Sequence, residues 1–368
     1  MSRQREQIVE FANAKLERLD ARKQRRRLTP TSREVAGGVV RDERYAVSFC
    51  DNDYLGLSQD ERVIAAAGAA ALKYGAGAGG SRLVTGDNKL NHVLETKLAR
   101  MKKQPAARVF GSGYLANTGI VPALMGPGDL VLLDELSHSC MYAGARLSGA
   151  DVLTFKHNDV DDVASKLSHR ITKGRALVLT ETVFSMDGDV APLQALYEAC
   201  EAHNAWLMTD DAHGFGVVDL NNPAIIQMGT LSKAVGAYGG YVCGPDELID
   251  LFTSRVRTFV YTTGLPPAVL GAAIEALNII EHDEFLKGDV MAKAKRFAEA
   301  FDLSTPQSAI VPLIVGDEQR ALDLQAALWE KGYHVSAIRP PTVPEGRSRL
   351  RICFSAAHEF YDVDGLIN

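Results

Sequence analysis

Aromatic residues are scarce in this chain, at 7% with two tryptophans, and cysteine is scarcer still. The five cysteines (Cys50, Cys140, Cys200, Cys243 and Cys353) are odd in number and scattered, with no paired spacing. That argues against a disulfide framework and against a zinc site, so no metal is expected. Cys140 reads as a small buried hydrophobe. Long hydrophobic runs are missing too. Polar residues interrupt each apolar stretch within about ten positions, well short of the roughly 20 that a membrane helix needs. The opening MSRQREQIVEFANAKLERLDARKQRRR has no apolar core of the secretory-signal kind. Nor is there a large excess of one charge: 46 acidic residues face 40 basic ones, a net −6 that disfavours a general nucleic-acid binder. These absences point to a reduced, cytoplasmic protein that engages neither membrane nor nucleic acid.

What is present is a long chain of ordinary globular composition. Its 368 residues, 46% hydrophobic and 23% charged, suffice for a large core and two domains. From Ala107 onward, apolar β-rich runs recur at ARVF, DLVLLD, DVLTF, ALVLT, AWLMT, AIIQM and GYVCG, mostly separated by segments of helical length. This alternation predicts an α/β fold with a mostly parallel seven-stranded sheet covered on both faces. The expected organisation is an N-terminal helix and basic segment over 1–45, a large domain over 46–280, and a small α+β domain over 281–368. Within the last, IVPLIVG, YHVSAI and RLRICF read as strands and Ala321–Trp329 as a helix.

Two polar clusters stand where apolar runs end, the usual place for a ligand crevice in an open α/β sheet. AWLMT stops at Asp210 and is followed by His213; AIIQM stops at GTLSK, which carries Lys233. Taken singly, the lysine reads as a surface group, the aspartate as a cap and the histidine as structural. Together, an amine that can form a Schiff base and an acid that can keep a ring nitrogen protonated suit pyridoxal phosphate. The strand ARVF runs into GSGYLANTG and an apolar helix over Ile120–Met125. Backbone N–H groups there, with Ser112 and the small Gly113, would cradle a phosphate. The spacing is not that of a dinucleotide fingerprint.

Gly75–Gly86 reads either as a flexible connector or as backbone that must pass close to a ligand or partner. The basic run Arg22–Arg27 reads first as a solvated helix face, with an anion contact open. Arg351 alternates with Leu350 and Ile352, so it lies on the opposite face of its strand, as an anion-clamping arginine would.

The motifs NDYLGLS, FGSGYLAN, DELSHS, VFSMDGD, DDAHGFG, GTLSKAVGAYGG and RPPTVPEGRSRLR, in this order, resemble the α-oxoamine synthases among the fold-type I pyridoxal-phosphate enzymes. The resemblance covers almost the whole chain. It implies the joining of an amino acid to an acyl-CoA with loss of CO2, and a homodimer with shared active sites. The ending IRPPTVPEGRSRLR…SAAHE and the stretch IVPLIVGD are most similar to the member that joins L-alanine to a pimeloyl thioester in biotin biosynthesis. 5-Aminolevulinate synthase, 2-amino-3-ketobutyrate ligase and serine palmitoyltransferase share the catalytic motifs.

By the same resemblance Lys233 holds the cofactor and later removes the α-proton, while Asp210 pairs with the ring nitrogen. His213 and Ser185 approach the ring oxygen, and His138 stacks on the ring. Gly113, Tyr114 and Thr230 contact the phosphate, with Thr262 or Thr263 reaching a neighbour's site. Arg351 holds the amino-acid carboxylate, and Arg25 and Arg339 serve anionic parts of the acyl substrate. The connection VVDLNNP is shorter than is usual for the family. Two other classes remain: aminotransfer or side-chain cleavage on the same fold, and a non-catalytic partner subunit, a class that tends to lose the lysine present here.

Overall fold

A computed structural model of the chain describes residues 2–21, 24–26 and 28–368. Of the basic run, Arg22, Lys23 and Arg27 lie outside the described residues. The chain opens with helix α1 (Arg3–Ala21), which has no buried residue. Strands β1 (Ser32–Arg33), β2 (Gly38–Arg41) and β3 (Arg44–Ser48) follow, then helices α2 (Glu61–Tyr74) and α3 (Lys89–Met101).

The expected central strands are all present: β4 (Ala106–Phe110), β5 (Leu130–Asp134), β6 (Asp151–Phe155), β7 (Ala176–Glu181), β8 (Trp206–Asp210), β9 (Ile226–Thr230) and β10 (Gly240–Gly244). They form one 7-stranded sheet in the order β4-β10-β9-β8-β7-β5-β6. Only β10 runs against its neighbours. Strands β5 and β7 to β10 are buried throughout, or nearly so, whereas the edge strand β6 exposes most of its length. Runs such as LVLLD and ALVLT lack polar alternation because helices cover both their faces.

Helix α4 (Gly113–Leu124) starts earlier than the apolar stretch Ile120–Met125 suggests. Its first turns hold glycine, asparagine and threonine, all weak helix formers. Burial against the sheet overrides that weakness, and Ser112 caps the start by accepting from Leu115 N at 3.1 Å. Helix α5 (Ser139–Ser148) is capped by His138.

The C-terminal region adds β11 (Ile310–Gly316), β12 (Tyr333–His334), β13 (Ser336–Ile338) and β14 (Ser348–Cys353). The run YHVSAI is thus two strands serving two sheets. β12 pairs with β3 in the N-terminal sheet, whereas β13 pairs with β14. The largest hydrophobic cluster draws on the turn around Phe49–Leu57, strand β10, the helices from Pro267 to Ala300, and β14. The first and last parts of the chain therefore pack on one face of the central sheet. Among the described residues no helix is long and apolar enough to cross a membrane.

Candidate active site

The parallel strands β7, β8 and β9 end side by side in Glu181, Asp210 and Thr230, and the register sets Glu181 beside Asp210. Asp210 is buried; its Oδ2 accepts from Asn117 Nδ2 at 2.8 Å and its Oδ1 from Ala212 N at 3.0 Å. Burial raises its pKa, and the nearby Lys233 ammonium opposes that rise. Burial likewise pushes Glu181 up to about 8, with Asp210 adding to the effect. Two carboxyls this close, removed from water, resist being ionised together.

Lys233 sits in the loop after β9, with Nζ 2.7 Å from His213 Nε2. Burial lowers the amine's pKa, although Asp210 and Glu181 pull it back up. His213 is buried, and its Nδ1 lies 2.7 Å from the Tyr54 hydroxyl. Burial, then the Lys233, Arg351 and His138 charges, hold the imidazole well below its ordinary pKa, so it is neutral. His138 opens onto the same region. Its Nδ1 accepts from Cys140 N at 3.3 Å, and its own backbone N donates to Glu181 Oε1 at 2.7 Å.

Arg351 is buried from the opposite side. It donates to Ser185 O at 2.5 Å, Asn52 Oδ1 at 3.1 Å and the Tyr54 hydroxyl at 3.3 Å. Ser185 contributes its carbonyl to this set. The neighbouring Arg349 donates to Met186 O and Asp187, which ties β14 to the same loop.

Gly113 and Tyr114 form the first turn of α4, and Tyr114 is half exposed. Thr230 Oγ1 donates to Gly239 O at 2.8 Å and lies 2.7 Å from Ser232 Oγ. Thr263 pairs with Ser81, and Gly264 N donates to Gly80 O at 3.0 Å, so the 262–264 segment is fastened to the glycine-rich loop of its own chain. That loop is no slack connector. A Cβ on Gly86 would lie 2.0 Å from Gly80 O, so a side chain there is incompatible with the turn.

Two candidates join none of these hydrogen bonds. Arg25 makes an exposed ion pair with Asp20 at 2.7 Å. Arg339 is half-buried and precedes the Pro340–Pro341 bond, and its side chain has no hydrogen-bond partner among the described residues. Asn52, Tyr54, Asn117 and Glu181 enter the site without having been picked out from the sequence. NDYLGLS and FGSGYLAN did mark two of the segments that carry them.

A cavity of about 460 Å³ contains none of Lys233, His213 and Asp210. It opens beside Asp211, Lys102 and Phe215 and is lined by the short 218–222 connection.

The profile of a family described as "Aminotransferase class I and II" matches residues 45–368. The chain belongs to that family. An 8-amino-7-oxononanoate synthase of Methylobacterium radiotolerans is 58% identical over 357 residues, covering 97% of this chain and 96% of that protein. A serine palmitoyltransferase from S. paucimobilis, solved with a bound PLP–myriocin aldimine, superposes with a TM-score of 0.90 at 26% identity, covering 98% of this chain and 96% of that one. An 8-amino-7-oxononanoate synthase from Francisella tularensis gives a TM-score of 0.74 at 26% identity, covering 87% and 95%. This aminotransferase-family chain therefore has the fold-type I architecture of enzymes that depend on pyridoxal phosphate.

The residues present fit that group. A buried carboxyl, an amine and a neutral imidazole converge beside the open first turn of α4. The first turn of α4, at Gly113, packs beside Thr230 and Met228 at the end of β9.

Proposed function

We propose that this chain condenses L-alanine with a pimeloyl thioester, such as pimeloyl-CoA, releasing CO2 and the free thiol and yielding 8-amino-7-oxononanoate for biotin synthesis. The observation that carries this reading is the 58% identity to a named 8-amino-7-oxononanoate synthase along nearly all of both chains. The geometry of the crevice is consistent with it.

In this reading Lys233 and Asp210 hold the cofactor, with His213 and Ser185 near its ring oxygen and His138 against its ring. Gly113, Tyr114 and Thr230 hold its phosphate. The bound cofactor supplies an electron sink for charge left on the substrate's α-carbon. Asp210 must then be ionised in a buried place, and the Ala212 N–H stabilises that charge. Lys233, its pKa lowered by burial, releases its proton readily and so can take one from the alanine α-carbon. The neutral His213 beside it puts no second cation next to the amine. Arg351 is pre-oriented by Ser185 O, Asn52 and Tyr54 and would receive the alanine carboxylate. Arg339 and Arg25 remain candidates for anionic parts of the acyl thioester. A panel of acyl thioesters assayed with alanine, glycine and serine tests the assignment. Alanine with pimeloyl thioester should be fastest, and preference for glycine or serine with another acyl group would overturn it.

The enzyme would work as a cytoplasmic homodimer with sites shared between subunits. Leu83, Val84 and Tyr261 are exposed around the fastened glycine loop, an apolar surface of the kind that marks an interface. Mixing Lys233→Ala chains with chains altered at Thr262 and Thr263 should restore some activity, because a mixed dimer then has one intact site. An active monomer in sedimentation, or no recovery under subunit exchange, would refute the shared site.

A further inference from the structure

The hydrogen bonds around Asp210 point to a residue that the roles above leave unassigned. Asn117 lies on α4 just past the helix start and is fully buried. Its amide nitrogen donates to Asp210 Oδ2 at 2.8 Å and to Cys140 Sγ at 3.1 Å. An ionised carboxylate can only accept, so the nitrogen of the amide, and not its oxygen, must face Asp210. The Oδ1 of Asn117 is buried and has no hydrogen-bond partner among the described residues.

That stranded oxygen bears on why asparagine is here. A buried carbonyl without a donor destabilises a fold; leucine, of similar length, would remove it, but only by leaving Asp210 Oδ2 without its donor. Packing does not explain the residue, but donation to Asp210 does. A neutral donor held against a buried carboxylate favours its charged form. The other groups facing Asp210 are Lys233 and His138 from the loops, Glu181 on β7, Cys140 on α5, Tyr241 on β10, and the Ala212 N–H. Of these, Glu181 works against the charge.

We propose that Asn117 is a positioning residue that fixes one Asp210 oxygen and keeps that carboxylate ionised, so that it meets the cofactor's ring nitrogen in a single orientation. The same helix would then serve the phosphate with its first turn and Asp210 with Asn117. The proposal rests on the reading in which Asp210 pairs with that nitrogen.

The test is a double-mutant cycle on the full-length protein: wild type, Asn117→Leu, Asp210→Asn, and the two combined. Pyridoxal phosphate affinity is titrated on the apoprotein, and the visible absorbance of the loaded protein is followed against pH. Asn117→Leu should weaken cofactor binding by roughly tenfold and shift the pH dependence of the absorbance. It should lower kcat more than it raises KM for alanine. In the Asp210→Asn background the same change should have little further effect on binding, since no carboxylate charge remains to be held. Equal losses in both backgrounds, or no loss in either, overturn the proposal while leaving the Asp210 reading intact. Wild-type cofactor affinity and spectrum in Asp210→Asn alone would overturn that reading, and the proposal with it. If Asn117→Leu fails to fold, Asn117→Ala is put through the same cycle and judged by the same criterion.

Discussion

His213 and His157 follow the ends of two strands of one sheet, β8 and β6, yet their surroundings drive them to opposite charge states. His213 is flanked by the Lys233 amine and the Tyr54 hydroxyl, each 2.7 Å away, and has no carboxylate among its hydrogen-bond partners. Its burial and the surrounding cations keep it neutral. His157, two residues past β6, lies between two carboxylates, with Nδ1 3.1 Å from Asp134 and Nε2 2.8 Å from Asp189. Burial alone would pull its pKa down, but the hydrogen bonds to Asp134 and Asp189 outweigh it and push it up to about 10. Desolvation acts on both rings in the same direction, so the chemistry of the partners decides the outcome. One site keeps an imidazole uncharged; the other uses a charged imidazole to tie β5 to the loop after β7.

The contrast is broken most severely by Lys233→Ala. Turnover should fall by several orders of magnitude, because the motif places no other amine where it could hold the cofactor and move the α-proton. The substitution also removes a charge that depresses His213, so the ring's pKa should rise in a histidine NMR titration of the variant. Borohydride reduction and digestion that left the pyridoxyl label on a different lysine would place the site elsewhere.

Asp210→Asn comes next. It keeps the size and removes the charge, and a loss of roughly a hundredfold in kcat/KM is expected, equivalent to about 3 kcal/mol of transition-state stabilisation. Near-wild-type turnover would refute the assigned role.

A smaller effect is expected from Tyr54→Phe. The hydroxyl orients His213 and meets Arg351, but burial is the larger cause of the imidazole's neutrality, so His213 should stay uncharged. A rate loss of about fivefold is expected, in line with a single neutral hydrogen bond of about 1 kcal/mol. A newly protonated His213 in the variant at neutral pH would show that the phenol had been holding it neutral.

These residues differ in how far the sequence alone revealed them. Asp210, His213 and Lys233 were legible because each stands where an apolar run ends, a local signal. Every central strand was legible for the same reason. Tyr54 reaches His213 across 159 positions and Asn117 reaches Asp210 across 93, and neither contact leaves a local pattern. Glu181 falls just past the run ALVLT, and only the register of β7 against β8 sets it beside Asp210. For Arg351 the alternation in RLRIC gave the face, but its partners Asn52 and Tyr54 lie 299 and 297 positions away. The division of YHVSAI was hidden because its two halves pair with strands from opposite ends of the chain.

The mildest test concerns His157 and reads stability instead of turnover. A histidine whose folded pKa of about 10 exceeds its ordinary 6.5 binds its proton more tightly in the folded state. Its contribution is fully present below pH 6.5 and is lost as pH rises through about 10. His157→Gln can still donate to one carboxylate but carries no charge. The gap in unfolding free energy between wild type and variant should therefore be widest near pH 6, narrower near pH 8, and nearly closed above pH 10. The ring is partly open to solvent, so the gap should amount to no more than a few degrees in Tm, and added salt should shrink it. Activity should change little at neutral pH, because His157 touches none of the groups around Lys233. Urea unfolding of both proteins across this pH range is the measurement. Two curves that stay parallel from pH 6 to above pH 10 would mean that His157 is not charged in the folded protein, and the contrast with His213 would then fail.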